Sequence, residues 1–185
     1  DGWDSDAVIG VEQILRGIIP EGRVVIYDDD HYYLGSAIAL LASASGCQVT
    51  LVTPADSLAG WNQFTDEHRP TMKALIEAGV DCVTAKGLIG FEPGLVRLEC
   101  VYSGKLSQLA ADQLIPISTR VTDDALWIEL DRRGAELEQK GLVSLQRIGD
   151  CRAPGIVASA VYAGHKAARE LGCQQHEFKR DRVVV

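Results

Sequence analysis

Arg23-Val-Val-Ile-Tyr27 runs without a break into Asp28-Asp-Asp-His-Tyr-Tyr-Leu-Gly35, and this stretch decides the fold. The first five residues are a compact β-branched run, the pattern of a strand buried on both faces. Residues 35–46, GSAIALLASASG, are small and helix-permissive, with Gly46 placed to end the helix. Residues 48–53, QVTLVT, read as a second strand, closed by Pro54. Strand, tight connection, small-residue helix and strand within roughly 30 residues make a βαβ unit. Its strands should be parallel and its crossover right-handed.

Upstream, residues 7–18 carry Val8, Val11, Ile14, Leu15 and Ile18 at helical spacing, which predicts a short amphipathic helix in a leading segment 1–22. Downstream, residues 55–65 are a polar and aromatic loop. Residues 66–79 read as a helix with Pro70 in its first turn and Gly79 at its end. Residues 81–85 read as a strand. Gly87, Gly90, Pro93, Gly94 and Gly104 then punctuate short alternating runs, which predicts a β-meander over 88–103. Leu114–Ile117 is a further strand. A charged helix is expected over 123–140, a strand over Leu142–Ile148, a small-residue helix over 154–171 and a tail over 174–185.

Parallel βαβ, then meander, then strand–Gly-Asp–helix is the order found in flavoproteins with two dinucleotide-binding domains. The predicted class is therefore α/β: a Rossmann-like three-layer βαβ domain with a β-meander, of the NAD(P)-binding kind found in glutathione reductase. The expected division is 23–141 for that domain and 142–173 for the closing strand and helix of an FAD/ADP-binding-like domain.

In such a unit the first strand-to-helix turn normally carries G-x-G-x-x-G, so that backbone can approach a pyrophosphate at the helix N-terminus. Here only Gly35 remains. Asp28, Asp29 and Asp30 stand at the helix mouth, and Tyr32 and Tyr33 add bulk. A phosphate–carboxylate contact at ~4 Å costs on the order of 4 kcal/mol at an effective dielectric near 20. The ribose-binding acid expected at the end of the second strand is replaced by Thr53-Pro54. Asp28, Asp29, Asp30, Tyr32, Tyr33 and Gly35 thus read as a degenerate dinucleotide turn that does not bind. Helix capping is the bland role for the acids. A metal site with His31 is disfavoured, since adjacent side chains converge poorly on one ion. Gly149, Asp150 and Pro154, in RIGDCRAP, read as part of an FAD/ADP-type site, with helix capping by Asp150 as the competing reading. No catalytic residue and no metal ligand is assigned.

Net charge is −8, from 26 acids against 18 bases, which argues against nucleic-acid and anionic-membrane partners. The longest apolar runs fall short of the roughly 20 residues that span a bilayer. Five cysteines lie far apart with no C-x-x-C pair, which fits free thiols in a reducing, cytoplasmic compartment and no cluster or zinc site. Asp1 with no leader suggests a stretch cut from a longer protein.

Val24–Pro54 and Ile148–Glu170 (IGDCRAPGIVASAVYAGHKAARE) resemble the C-terminal part of trimethylamine dehydrogenase-type flavoproteins. Histamine dehydrogenases and dimethylglycine-catabolism oxidoreductases belong to the same group. The resemblance covers about residues 7–172; the YDDDHYYLG turn is specific to the group, and the GD-x-x-AP stretch is shared with dienoyl-CoA reductase relatives. It implies a full enzyme with an N-terminal barrel carrying FMN and a [4Fe–4S] centre, an FAD-like domain able to hold an ADP, and electrons leaving to an electron-transfer flavoprotein. The full enzyme would be a homodimer. The fragment itself would carry no cofactor and no activity. Two other readings stay open: an NAD(P)H-binding domain of a dienoyl-CoA reductase-like enzyme, and a cofactor-free interaction module. The missing glycines, and Ser118-Thr119-Arg120 where the reductases have Ala-Thr-Gly, favour the dehydrogenase branch.

Overall fold

The computed structural model describes residues 2–172. By its internal packing the chain divides between Thr119 and Arg120 into two compact units. The division expected from the resemblance, between 141 and 142, concerns which domain of a relative each stretch matches; the packing divides elsewhere.

The first unit is built on a parallel sheet in the order β3-β2-β1-β7. β1 (Arg23–Asp28) pairs with β2 (Gln48–Val52) on one side and β7 (Gln113–Ile117) on the other, with Val25 opposite both Thr50 and Leu114. β3 (Asp81–Val83) extends the sheet beyond β2. Because β1 is central and covered on both faces, its residues are apolar in succession: Val24, Val25 and Ile26 are all buried. One face packs on α1 (Val11–Leu15), α2 (Tyr33–Ala44) and α3 (His68–Glu77), through Ile14, Ile38, Ala39, Ala42 and Leu75. The other face, with Val25, Val52 and Leu114, packs on Phe91, Val96, Leu98 and Ala111. Those four belong to an antiparallel sheet of β4 (Lys86–Glu92), β5 (Gly94–Cys100) and β6 (Leu106–Ala111), with a bulge between Leu88 and Gly90. Helices, parallel sheet and meander give the three layers, and the α/β class with its Rossmann-like βαβ unit is as expected.

The leading segment does more than the sequence suggests. The Ile9 N–H donates to the Leu114 carbonyl at 2.9 Å and the Leu114 N–H to the Ala7 carbonyl at 2.9 Å, which adds a parallel bridge at Val8 to the outer edge of β7. Pro116, two residues on, has no N–H for that edge, so the ladder ends there. The expected helix over 7–18 shrinks to five residues, since 7–9 are in the bridge and Leu15 and Ile18 stay exposed. The meander is longer than expected, 86–111 against 88–103.

The second unit holds α4 (Ala125–Arg132), α5 (Gly134–Gln139), a 3-10 turn at Gly149–Cys151 and α6 (Val157–Glu170). The single helix expected over 123–140 is broken at Arg133, whose φ of −96° and ψ of 12° leave the helical range. The expected strand Leu142–Ile148 is absent. A strand exists only through a ladder partner, and among the described residues this stretch has none. It is tied to α4 by side chains instead: the Arg147 guanidinium donates to Asp124 and lies 4.1 Å above the Trp127 ring. The open strand edge that would have invited association is therefore not there. The helix expected from 154 starts at 157, and the expected tail lies outside the described residues.

Candidate functional site

The mouth of the βαβ unit is formed where β1 ends and α2 begins. Asp28 is the last residue of β1 and is fully buried. Its Oδ1 accepts the backbone N–H of Asp30 and of His31, each at 3.1 Å. Its Oδ2 has no hydrogen-bond partner. Burial pushes this carboxyl above the ordinary aspartate range, against the two N–H groups and the nearby His31. Gly35 shows why one glycine is kept here. A Cβ at that position would stand 2.5 Å from Asp28 Oδ2, so the first turn of α2 can lie on the carboxyl only without a side chain.

His31 takes the left-handed conformation, φ 63°. Its Nδ1 lies 3.3 Å from Thr53 Oγ1, just past β2, and its Nε2 lies 3.4 Å from Asp29 Oδ1. The imidazole thus bridges the first turn and the end of the second strand, the gap a ribose spans in a dinucleotide-binding unit. The His31 carbonyl accepts the Trp61 N–H at 3.1 Å. Trp61 belongs to a 3-10 helix, Gly60–Thr65. Its ring stacks on Tyr32 at 5.6 Å and 10°, and meets Phe64 at 5.5 Å. The Tyr33 hydroxyl is 2.7 Å from Thr65 Oγ1. Ser57 Oγ and His68 Nε2 are 3.0 Å apart, but the same Nε2 lies 3.1 Å from the Leu58 carbonyl. A nitrogen facing a carbonyl carries the proton, so it cannot be a base toward the serine, and the pair is a structural clamp.

The structure brings Asp28, Asp29, Asp30, His31, Tyr32, Tyr33 and Gly35 together at this turn. Asp28 is enclosed beneath the helix start and does not face an incoming anion, and the His31 imidazole lies between the turn and Thr53. Trp61 and Phe64, which a loop of mixed composition did not reveal, join Tyr32 in an aromatic cluster whose two loop members stay exposed.

The second candidate stretch is looser. Gly149 has φ 61°, and Asp150 is exposed, its Oδ1 3.4 Å from the Gly155 N–H. Pro154 is half-buried, ahead of α6. Asp150 does not cap that helix; Ile156 holds the capping position without a side-chain bond. Among the described residues no group of three or more His, Cys, Asp or Glu side chains is arranged to hold a metal ion, so they form no cluster site. Nor is any described helix long and apolar enough to cross a membrane.

No protein-family model matches the chain. Dimethylamine dehydrogenase from Hyphomicrobium sp. (strain x) is 29% identical over 197 residues, covering 94% of this chain and 27% of that protein. The solved histamine dehydrogenase from Rhizobium sp. 4-9 is 33% identical with a TM-score of 0.87, over 94% of this chain and 27% of that one. The chain is similar to amine dehydrogenases along nearly its whole length. The 6-hydroxypseudooxynicotine amine oxidase from Pseudomonas geniculata N1 agrees, at 32% identity and a TM-score of 0.85 over 92% of this chain and 25% of that one. The chain thus spans about a quarter of the length of these relatives, matching their C-terminal part.

Proposed function

We propose that this chain is the nucleotide-binding-like C-terminal region of an amine dehydrogenase-type oxidoreductase, with a nicotinamide position that the fold retains and the residues close. The observation that supports it is the agreement of two relatives above 30% identity, both acting on amines by name, in sequence and in three dimensions across more than nine-tenths of the chain. In this reading residues 23–141 correspond to the NAD-like domain and 142–173 to the end of the FAD-like domain. Gly149, Asp150 and Pro154 contribute one part of an ADP-type site that needs further chain to be complete.

FMN and a [4Fe–4S] centre would take and pass on the electrons in the longer protein. What this chain contributes is shape: a rigid parallel sheet, a closed βαβ mouth and an exposed second unit. The other partners in this proposal are the protein's own FMN barrel, an electron-transfer flavoprotein as acceptor and a second subunit, in the cytoplasm. The substrate amine would be selected outside these residues.

The test is made on the full-length polypeptide. Amines should reduce its flavin, and NADH and NADPH should not. Nicotinamide-dependent flavin reduction, or micromolar NADH binding to residues 1–185 by calorimetry, would overturn the proposal in favour of a reductase.

A further inference from the structure

We propose that the β1–α2 turn is a proton-dependent clasp: Asp28 carries its proton while the turn is closed, and losing it loosens the contacts that hold the ring cluster of Tyr32, Trp61 and Phe64 to the turn. This concerns the turn itself and stands apart from the amine dehydrogenase reading.

Three geometric facts carry it. Asp28 is fully buried, at 0% exposure. Its two oxygens are unequal: Oδ1 receives two N–H bonds, whereas Oδ2 receives none. Gly35 presses on the bare oxygen so closely that any β-carbon there would overlap it. A charged carboxylate enclosed with one oxygen unsolvated and unbonded is costly, and the neutral acid costs less, since an unpaired buried hydroxyl is penalised less than an unpaired charge. The charged and titratable groups acting on it are few. His31 favours the anion and Asp30 opposes it, both from the same turn. Asp29, also in the turn, is turned toward the His31 ring. The α2 face against it is Gly35, which carries no charge.

The clasp reaches the mouth through short links. The two N–H groups on Oδ1 belong to Asp30 and His31. The His31 carbonyl holds the Trp61 N–H, and Trp61 stacks on Tyr32. If Asp28 ionises, either the carboxylate must reach water or the turn must open, and opening the turn releases the His31 backbone on which the aromatic cover hangs.

The sign follows from linkage. A carboxyl whose folded value lies above its unfolded value binds its proton more tightly when the turn is closed. Its stabilisation is full below the ordinary aspartate range and is lost as pH rises through the folded value. Within that window each pH unit should shift the closed–open equilibrium by up to about tenfold.

The experiment follows amide exchange at Asp30, His31 and Trp61 in the whole chain between pH 4 and 8, corrected for intrinsic exchange. Wild type should lose protection as pH rises, by about tenfold per unit within the window. Asp28→Asn keeps an oxygen for the two N–H donors and cannot ionise, so its corrected protection should be flat. His31→Asn, which tolerates the left-handed backbone, should keep the wild-type slope. A carbon-detected titration of the Asp28 carboxyl in wild type gives a reading that needs no variant, with a midpoint above that of an exposed aspartate expected. Four results would each overturn the clasp. They are an ordinary or depressed Asp28 midpoint, a slope that survives in Asp28→Asn, a slope abolished by His31→Asn, or wild-type protection that rises with pH. The last would make Asp28 an anionic helix cap.

Discussion

The two units of this chain carry apolar residues in similar proportion and use them in opposite ways. Every buried hydrophobic residue described lies between Ile9 and Ile117. None of the helices α4, α5 and α6 buries a single residue, and Leu126, Val143, Val157, Val161 and Tyr162 are each more than half exposed. In the first unit, strands distant in sequence close a core on both faces of a sheet. In the second, short helices carry apolar side chains that the described residues of the unit leave largely exposed. A helix is held chiefly by packing its apolar face, and isolated helices of fewer than about 12–15 residues are marginal in water. The first unit therefore contains the reasons for its own stability, and the second does not.

The sharpest way to break that comparison is a pair of truncations. Leu114→Ala removes a β7 side chain buried between the parallel sheet and the meander. It should cost about 2–5 kcal/mol by urea denaturation. Val157→Ala, on α6 at 80% exposure, should stay within about 0.5 kcal/mol. A large loss from Val157→Ala would mean that α6 packs on something and that the second unit has a core after all.

A smaller contrast uses glycine. Gly35→Ala forces a β-carbon to 2.5 Å from Asp28 Oδ2 and should cost about 1–3 kcal/mol, as overpacking does. Gly164 sits inside α6 with nothing within 4 Å of its β-carbon position. Gly164→Ala should raise α6 helicity, with a gain of roughly 0.5–1 kcal/mol in local stability readable by amide exchange. Equal effects at the two positions would show that Asp28 yields easily and that Gly35 is not kept for its sake.

How much of this was legible in the sequence follows the same division. Val24–Ile26 and Val49–Val52 declare themselves because a strand covered on both faces must be apolar without alternation, and Gly46 marks the helix end between them. The site was legible in outline only. A run of three acids reads as a solvated mouth, yet Asp28 is still the final strand residue and inherits the inward direction of Ile26. That two-residue period was the signal available for its burial. Trp61 and Phe64 offered no comparable signal, because a 3-10 helix of six residues has too few turns to show a periodicity. Leu142–Ile148 failed for the opposite reason. Four of its seven residues are apolar, which suggests a strand, but strand formation depends on a partner that sequence-local reading cannot supply.

Cysteine chemistry sharpens the comparison within the first unit. Cys100 ends β5, and hydrogen bonds from the Ser103 hydroxyl and from the N–H groups of Ser103 and Tyr102 hold its thiol down to about 7, with Lys86 adding a smaller pull. Burial pushes Cys47 and Cys82 up. Since the thiolate is the nucleophile, Cys100 should react with iodoacetamide ahead of those two, with an apparent midpoint near pH 7. Peptide mapping after brief labelling at pH 7 checks this. Cys82, the exposed one of the three, labelled first would show that access outweighs thiolate fraction.

The smallest effect expected is at the sheet's other end. Arg23 forms a fork with Asp112, from Nη2 to Oδ1 at 2.6 Å and from Nε to Oδ2 at 3.0 Å, and the Arg23 N–H also donates to Oδ2 at 2.9 Å. These bonds hold the Asp112 carboxyl down to about 2, but both side chains are more than two-fifths exposed. Asp112 is depressed, so the stabilisation is present above the ordinary aspartate range and is lost as pH falls toward 2, the reverse of Asp28. Water and salt screen such a pair strongly. Arg23→Gln should lower the melting temperature slightly at low salt, and the difference should vanish near 1 M salt. Asp112→Ala should cost more than Arg23→Gln, because it also removes the acceptor of the Arg23 backbone N–H where β1 begins. Equal losses from the two variants, insensitive to salt, would mean that packing of the arginine stem, and not the ion pair or the backbone bond, is what the position contributes.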